Sequence, residues 1–371
     1  MEKTEQLLHK NTFDKSDIVH LLSLSEPAER ALLQKAAFAT ATTFLGNNVY
    51  YRGIVEFSNI CTLNCYYCGI RKGNNSLHRY CLSVGEVINC AKWAAECGYG
   101  SCVLQSGERR DEQFISFVEA CTRGIKKATV SDTLPEGLGI TLSLGEQSRE
   151  TYQRFFDAGA HRYLLRIETT NPTLFTSLHP EEQVFANRLK CLTYLRKTGF
   201  QVGTGVMIGI PDQTVEDLAD DILFFRDNDI DMIGMGPYLP HPDALIDNSS
   251  VMDNDALLSL ALSMIAVCRL VLKDVNIAAT TALQAMVHDG REQGILYGAN
   301  VVMPNLTPTD FRKSYQLYDG KPCIDEGKEE CRNCLKNRIE SVGRTVGWDT
   351  WGDSPHFEAR KNDNNSTPAR E

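Results

Sequence analysis

A regular alternation of short apolar runs with longer amphipathic stretches, beginning near residue 49, constrains the fold of this chain more than any other feature. The apolar runs are rich in β-branched residues and predict strands. Apolar residues at helical spacing predict helices between them, for example over 84–97 and 215–226. The eight predicted strands are 53–57, 101–104, 139–144, 162–167, 201–208, 232–235, 276–279 and 299–303. Eight strands separated by seven helices favour a closed parallel α/β structure, the (β/α)8 or TIM barrel, over an open sheet.

The segments on either side of this pattern predict a barrel with two extensions. Residues 1–45 contain two stretches with helical spacing and form the predicted N-terminal helical extension. The barrel is assigned to 46–320, and a C-terminal segment with further cysteines to 321–360. The polar end of the chain, 361–371, has the composition of a disordered tail. The length of 371 residues then corresponds to one large barrel with additions.

Charge and hydropathy argue against several partners and locations. Lysines and arginines total 38 against 48 aspartates and glutamates, and the net charge of −10 disfavours nucleic acid or an anionic membrane as the main partner. The first ten residues are charged where an export signal needs an apolar stretch. The longest apolar segment, 257–272, is short for a membrane span and contains Arg269. We therefore expect a cytoplasmic protein with reduced thiols.

The chain contains 13 cysteines, an odd number in a protein too long to need disulfide bonds for stability. In a reducing compartment each cysteine is either a packing residue or a ligand. Two groups of three are closely spaced. The other seven lie within or beside amphipathic segments and are predicted to pack in the core: Cys81, Cys90, Cys97, Cys102, Cys121, Cys191 and Cys268.

A closed parallel barrel makes a geometrical demand on polar residues that follow the strands. The chemistry of such barrels lies at the carboxyl ends of the strands, so these side chains should converge at one mouth. The residues concerned are Asn59, Cys61, Gln105 to Glu108, Ser143, Glu146, Glu168, Pro211, Pro237, Thr280, Thr281 and Asn305.

The first group of cysteines follows the first predicted strand. Cys61, Cys65 and Cys68 form the array C-x3-C-x2-C within CTLNCYYC. Three thiolates in one loop can hold a 4Fe–4S cluster and leave its fourth iron without a protein ligand, an open site that favours catalysis over electron transfer. Zinc also binds thiolates, but a structural zinc site needs a fourth protein ligand nearby. The other alternative is three unconnected core cysteines.

This array, with the aromatic Tyr67 before its last cysteine, resembles the signature of radical S-adenosylmethionine (SAM) enzymes. The resemblance implies that the open iron binds the amino and carboxylate groups of SAM. A reductant such as ferredoxin or flavodoxin would supply one electron, and cleavage of the sulfonium bond would release a 5′-deoxyadenosyl radical.

The motifs after the other strands resemble one subgroup, the FeFe-hydrogenase maturases of the HydE family, over roughly residues 45–350. The resemblance implies a role in assembling the di-iron subcluster of the hydrogenase active site, the H-cluster. The implied substrate is a small anionic, cysteine-ligated iron carbonyl–cyanide species made by HydG, and the implied acceptor is HydF. The matching motifs are YYRGIVEFSN, VLQSGE, TLSLGE, RYLLRIET, GVMIGIP, GPYLPHP, ATTA and NVVMPN.

The resemblance also implies roles for individual residues. Glu168 and Arg188 correspond to a pair that binds SAM, with a structural salt bridge as the alternative. Gln105 and Ser106 would contact its adenosyl part, and Tyr67 would lie over the cluster. Met235 and Pro237 would form the adenine wall, or else simply belong to the core. The implied substrate cavity contains Arg166, Thr141, Ser143, Thr280, Thr281, Met303 and Tyr315.

Arg166 is the strongest of these assignments, because an arginine inside a barrel is costly unless an anion or a carboxylate pairs with it. The alternative is that it pairs only with Glu146 or Glu168. Thr280 and Thr281 offer hydroxyls at the seventh strand, but threonine is also common in strands for its β propensity.

The second group, Cys323, Cys331 and Cys334, has the spacing C-x7-C-x2-C among charged residues and predicts a surface site. The spacing resembles the auxiliary site of some HydE proteins, which would hold a second cluster, 2Fe–2S or 4Fe–4S, not needed for maturation. Adventitious metal is the alternative.

Two other functions fit parts of the pattern. Biotin synthase and methylornithine synthase share the barrel and the cysteine array but use different cavity residues, and the motifs after strands two to four favour HydE. A two-cluster electron-transfer or metal-storage protein belongs to a different class, and would not need Arg166 or Glu168 at the barrel mouth.

Overall fold

The computed structural model describes residues 1–247, 251–325 and 327–366. Its strands, in chain order, are β1 (Asn48–Ser58), β2 (Ser101–Ser106), β3 (Gly139–Ser143), β4 (Arg162–Leu164), β5 (Gln201–Thr204), β6 (Met207–Ile208), β7 (Met232–Ile233), β8 (Gly236–Pro237), β9 (Asn276–Ile277), β10 (Val301–Val302) and β11 (Thr345–Val346). Eight of them form the main ladder in the order β10-β1-β2-β3-β4-β5-β7-β9, and all its pairings are parallel.

The two ends of this ladder meet. Ala278 forms a parallel bridge with Val301, and the amide of Asn300 donates to the carbonyl of Ile277 over 2.9 Å. The sheet therefore closes between β9 and β10, and the predicted (β/α)8 barrel is confirmed. The predicted strand 201–208 appears as two short strands, β5 and β6, whereas 232–235 contains only β7 and is followed by β8 just beyond its predicted end. A Cβ added at Gly205 would collide with the carbonyl of Gly234, so these two backbones approach too closely for an ordinary side chain at the break.

The helices surround the barrel and extend beyond it. They are α1 (Glu2–Leu8), α2 (Lys15–Leu22), α3 (Pro27–Leu45), α4 (Val84–Glu96), α5 (Glu112–Ala128), α6 (Arg149–Asp157), α7 (Pro172–Leu178), α8 (Phe185–Thr198), α9 (Val215–Asp227), α10 (Asn254–Leu272), α11 (Thr281–Met286), α12 (Gly290–Leu296), α13 (Thr309–Arg312), α14 (Lys328–Ser341) and α15 (Pro355–Ser366). Where the sequence predicted two N-terminal helices, the structure has three. The short, mostly polar α1 buries only Thr4 and Leu7, too few residues for a helical pattern.

Helix starts follow local capping chemistry. Ser83 and Glu86 form a reciprocal capping box at α4, and Thr214 and Asp217 form another at α9. The C-terminal end of α8 is set by Gly199, whose φ of 104° lies in the left-handed region that glycine tolerates.

In the described part of the chain, α10 alone has the length and apolar composition of a membrane-crossing helix, and 67% of its apolar window is buried inside the protein. Its Arg269 is fully buried and donates to the carbonyls of Lys273, Val275 and Gly298 at 2.7, 2.8 and 2.9 Å. In the structure α10 is a core helix, tied by Arg269 to the segments beside β9 and β10.

The C-terminal segment returns beneath the barrel and closes its amino-terminal end. The side chain of Arg162 in β4 is fully buried, donates to the carbonyl of Trp351 over 2.6 Å and pairs with Asp353 at 2.5 Å. The carbonyl of Gly352 accepts hydrogen bonds from Arg52 and Asn276, at 3.0 and 2.9 Å. Three strands thus hold this segment in place.

The segment 361–371, predicted to be a disordered tail, begins within the last helix. Helix α15 continues through Ser366, and residues 367–371 lie outside the described residues. Although α15 is polar, ion pairs near its middle hold it against the protein. Arg360 pairs with Asp229 and Asp231 at 2.6 and 2.8 Å.

We expect Asp353→Asn to lower the free energy of unfolding by about 3 kcal/mol at pH 7, because it leaves the buried Arg162 unpaired. Burial alone would raise the pKa of Asp353, but the charge of Arg162 and the hydrogen bonds from His161 and Arg162 outweigh it and hold the pKa well below its usual range. The stabilisation is therefore fully present above the unfolded pKa of about 4 and is lost only as pH falls further.

Urea unfolding of parent and variant between pH 8 and pH 3 checks this. The difference should stay constant down to about pH 5 and shrink below about pH 4. Asp227→Asn is the control, because it removes a carboxylate whose partner Arg226 is also largely exposed, and it should change stability by less than about 0.5 kcal/mol. Equal effects of the two substitutions would contradict the prediction.

Candidate active site

The first cysteine group lies in the loop after β1, at the carboxyl ends of the strands. Cys61, Cys65 and Cys68 are free thiols and are half-buried. Burial raises the pKa of Cys65 well above its usual value, and the neighbouring charges of Cys68 and Cys61 raise it further, so the three thiols lie close together. Cys65 Sγ also donates to Gln183 Oε1 over 3.0 Å.

Three thiols in one loop suit a cluster with one open iron better than a structural zinc site, which needs a fourth protein ligand. A zinc ion needs its thiolates around one centre, whereas a 4Fe–4S cluster distributes three thiolates over three irons.

A strained glutamate lies beside these thiols. Glu168 follows β4 with φ of 66°, a left-handed conformation that costs a residue with a side chain about 1 kcal/mol or more. The backbone is held there from both sides, because its amide donates to Gly205 O and its carbonyl accepts from the amide of Met207, both over 3.0 Å. The strain therefore fixes the direction of one carboxylate.

That carboxylate joins three predicted site residues. Tyr67 donates to Glu168 Oε1 over 3.3 Å, and Arg166 Nη2 lies 3.0 Å from Glu168 Oε2. Burial raises the pKa of Tyr67 well above its usual range, and the charges of Glu168, Cys65 and Cys68 raise it further. Tyr67 thus lies between the carboxylate and the thiols, and the predicted convergence at the mouth is present for this set.

Arg188 reaches the same region from α8 but is already paired. Its Nε donates to Glu146 Oε1 over 2.7 Å, and its Nη1 donates to the carbonyl of Arg166. The salt bridge considered as the alternative is therefore present. The positive charge of Arg188 partly opposes the rise in the pKa of Cys65 and of Tyr67. Through its hydrogen bond to the carbonyl of Arg166, Arg188 fixes the backbone of that residue.

The barrel interior contains a cavity of about 30 Å³, lined among others by Thr141, Leu164 and Met303. Three buried polar atoms of the predicted site have no hydrogen-bond partner within the described chain: Thr141 Oγ1, Thr280 Oγ1 and Arg166 Nε. Glu168 Oε2 is also buried and has its ion pair with Arg166. Native proteins rarely bury polar atoms unpaired, so the first three fit a polar ligand. A carboxylate oxygen and an arginine nitrogen beside three thiols match the donor set that SAM and a cluster require.

Three residues near the site were not predicted from the sequence: Glu56, Tyr318 and Lys321. Two predicted site residues do contact each other, since Gln105 donates to Tyr315 OH over 3.2 Å. Lys321 positions Tyr315 by donating to its carbonyl, and it also pairs with the buried Glu56. Thr281 shares a 2.7 Å hydrogen bond with Tyr318. Lys321 and Tyr318 lie in the irregular segment after α13, where no periodic pattern marks them.

Four other predicted site residues lie in or next to strands of the barrel. Ser106 donates to the next carbonyl over 2.8 Å, and Ser143 is the half-buried last residue of β3. Met235 is fully buried and receives a contact from the thiol of Cys268 at 3.9 Å, as a core residue would. Pro237 lies in β8, which pairs with β6.

The second cysteine group is described only in part. Cys323 is in a loop with φ of 62°, and the exposed Cys334 in α14 accepts a 3.2 Å hydrogen bond from Arg338. The backbone of Cys331 also lies in α14, but its side chain lies outside the described residues.

Known proteins share this architecture and its sequence. Residues 55–225 match the radical SAM superfamily. The FeFe hydrogenase maturase subunit HydE of Thermotoga maritima is 41% identical over 352 residues, which cover 95% of this chain and 97% of that protein. The chain belongs to the HydE family of radical SAM enzymes. A family member of this kind uses a 4Fe–4S cluster and SAM, and the residues at the mouth fit both.

More distant relatives share the fold. The structure of methylornithine synthase, PylB, superposes with a TM-score of 0.76 at 22% identity and covers 96% of this chain and 99% of its own. The maturase HydG from Carboxydothermus hydrogenoformans superposes with a TM-score of 0.79 at 18% identity, covering 96% of this chain and 82% of its own. Biotin synthase of Corynebacterium jeikeium is 23% identical over 82% of both chains.

We expect Glu168→Gly to be at least as stable as the parent, because glycine adopts a φ of 66° without strain, a gain of about 1 kcal/mol. The lost ion pair to Arg166 offsets little of this, since Arg166 is about one-third exposed. Urea unfolding of parent, Glu168→Gly and the strained control Glu168→Gln measures the effect. A glycine variant less stable than the glutamine variant would contradict it.

Proposed function

We propose that this HydE-family enzyme acts in assembly of the H-cluster di-iron subcluster, using SAM and a small anionic, cysteine-ligated iron carbonyl–cyanide substrate. The likeness to Thermotoga maritima HydE over 95% of the chain carries this proposal. The group formed by the three thiols, Tyr67, Glu168 and Arg166 supports it chemically. When bound, the cluster and SAM supply a 5′-deoxyadenosyl radical once a reductant of the ferredoxin or flavodoxin kind delivers one electron.

The residues of the mouth divide between two ligands. Cys61, Cys65 and Cys68 hold the cluster. Glu168 presents Oε2, which pairs with Arg166, to the hydroxyls or ammonium of SAM, with Gln105 and Ser106 toward the adenosyl part. Tyr67 orients Glu168, and Arg188 holds the backbone of Arg166 in place. Met235 and Pro237 form the wall behind them.

The deeper residues would bind the substrate. Arg166 has a free Nε, and Thr141 and Thr280 have hydroxyls without partners in the described chain, so an anionic species with further acceptor atoms satisfies all three. Ser143, Thr281, Met303 and Tyr315 complete the cavity. HydG would supply this substrate and HydF would receive the product.

The second group, Cys323, Cys331 and Cys334, would hold a further iron–sulfur cluster of 2Fe–2S or 4Fe–4S type. The exposed thiol of Cys334 and the surrounding charged segment support a surface site apart from the barrel mouth. We assign it no part in the reaction.

Anaerobic reconstitution with iron and sulfide, followed by dithionite and SAM, tests the radical chemistry. The parent should release 5′-deoxyadenosine, and Cys65→Ala should release none above background, because the cluster loses one of its three ligands. Cys334→Ala is the matched control and should retain the activity with less bound iron. A parent that binds two clusters yet forms no 5′-deoxyadenosine would instead be an electron-transfer or storage protein.

Arg166→Met tests the anionic substrate. We expect about 10- to 100-fold weaker substrate use, because a charge-assisted hydrogen bond is lost, while 5′-deoxyadenosine still forms in the absence of substrate. Hydrogenase activity in a maturation assay with HydG and HydF provides the readout, and Arg166→Lys, which keeps the charge, should fall between parent and methionine variant. Full maturation by Arg166→Met would contradict the assignment. Failure of the parent to replace HydE in a strain that lacks it would contradict the proposed role itself.

A further inference from the structure

Arg79 lies just beyond the cysteine loop, and none of the roles assigned above involves it. The loop leaves the barrel after Ser58 and returns at Cys81, where these two residues form an antiparallel bridge. The amide of Leu82 donates to the carbonyl of Phe57 over 2.8 Å, which closes the base of the loop. Arg79 follows all three cysteines and lies at this closed base.

The guanidinium of Arg79 contacts backbone from both sides of the cysteine group. Nη1 donates to the carbonyl of Asn59 at 2.7 Å, before the first cysteine, and to that of Ile70 at 2.8 Å, after the last. Nη2 donates to the carbonyls of Arg71 and Asn74 at 2.6 and 3.1 Å. One side chain therefore joins the two ends of the segment 59–74, which no secondary structure holds together.

These carbonyls lie in an irregular loop, and that of Arg71 also accepts from the amide of Asn74 over 3.1 Å. The planar guanidinium can reach several of them at once with hydrogen bonds in fixed directions, whereas an ammonium on a flexible stem cannot. Asn59 adds a second connection, because its Nδ2 donates to the carbonyl of His78 over 2.7 Å and its Oδ1 accepts from the amide of Tyr80 over 2.8 Å. The two terminal nitrogens of the Arg79 guanidinium (its fork) thus hold the backbone of the cysteine loop in one conformation.

The charge of Arg79 also lies beside the cysteine loop. No carboxylate pairs with it in the described ranges 1–247, 251–325 and 327–366. Two of the carbonyls that it contacts, those of Asn59 and Ile70, lie two residues before Cys61 and two residues after Cys68, so the cation is close to the segment that carries the thiols. A cation near the ligands interacts more strongly with a cluster as the cluster becomes more negative.

We propose that Arg79 is a positioning residue that holds the cysteine loop in the conformation that receives the cluster, and that its charge favours the reduced cluster. The inference rests on the proposed role of the three cysteines as ligands. Reduction adds one electron from dithionite to the cluster and no proton, so the cluster gains one negative charge. Removal of a nearby cation should therefore make the midpoint potential more negative.

Two substitutions separate the geometry from the charge. Arg79→Lys keeps the charge but loses the fork, so we expect the reconstituted protein to lose iron to a ferrous chelator about tenfold faster than the parent, with a midpoint potential close to that of the parent. Arg79→Met loses both, so we expect equally fast iron loss and a more negative potential. Iron and sulfide content and an EPR-monitored redox titration provide the readouts, independent of turnover.

Arg196→Met is the matched control. Arg196 is also partly buried and donates to the backbone carbonyls of Asn228 and Asp229, but it lies near the end of α8, far from the cysteine loop in the sequence, and also pairs with the Asp229 carboxylate at 2.7 Å. It should leave iron loss and potential unchanged. Circular dichroism of the apoproteins verifies folding, and if Arg79→Met does not fold, Arg79→Lys decides the positioning role.

Iron loss from Arg79→Lys at the rate of the parent would overturn the positioning role, and an unchanged potential in Arg79→Met would overturn the role of the charge. Both outcomes would leave the proposed function intact, because the parent would still hold its cluster. A parent that takes up no cluster would overturn the proposed function and this inference with it.

Discussion

Closure of the parallel ladder between β9 and β10 is the constraint on which the rest of the structure depends. β7, β9 and β10 have two residues each, so few backbone hydrogen bonds join them. Side chains supply the rest, since Asn300 Oδ1 accepts from the amide of Ile277 and its Nδ2 donates to Asn276 over 2.7 Å. Once the ladder is closed, the parallel direction of all eight strands places every carboxyl end at one mouth.

The two ends of the barrel use buried charge differently. At the amino-terminal end the buried charges pair within the protein, because Asp353 pairs with Arg162 and the segment around Asp353 accepts hydrogen bonds from three strands. At the carboxyl end Glu168 is strained, and Arg166 Nε and the hydroxyls of Thr141 and Thr280 have no hydrogen-bond partner in the described chain. The first arrangement stabilises the fold, and the second leaves interactions that a polar ligand can complete.

Much of the fold and part of the site could be predicted from the sequence. Hydrophobic periodicity gave the eight strands and most helices, because the two periods differ clearly over segments of this length. It did not indicate α1, which buries few residues, or the polar α15, which ion pairs of Arg360 stabilise. The three closely spaced thiols and the neighbours Tyr67, Glu168 and Arg166 were predicted from spacing and resemblance, and the structure places them together.

Local sequence by itself determined the barrel class and the group of three cysteines that can hold a cluster, because spacing and periodicity depend only on neighbouring residues, and the resemblance to a known family added SAM. Only the tertiary structure decided that Arg188 pairs with Glu146, that Lys321 positions Tyr315, and that Arg79 joins the two ends of the cysteine loop. These contacts link residues that are 42, 6 and 20 positions apart through a closed barrel and an irregular loop. The periodicity of a sequence does not indicate which buried charge pairs with which partner, because packing in the closed barrel determines these pairs.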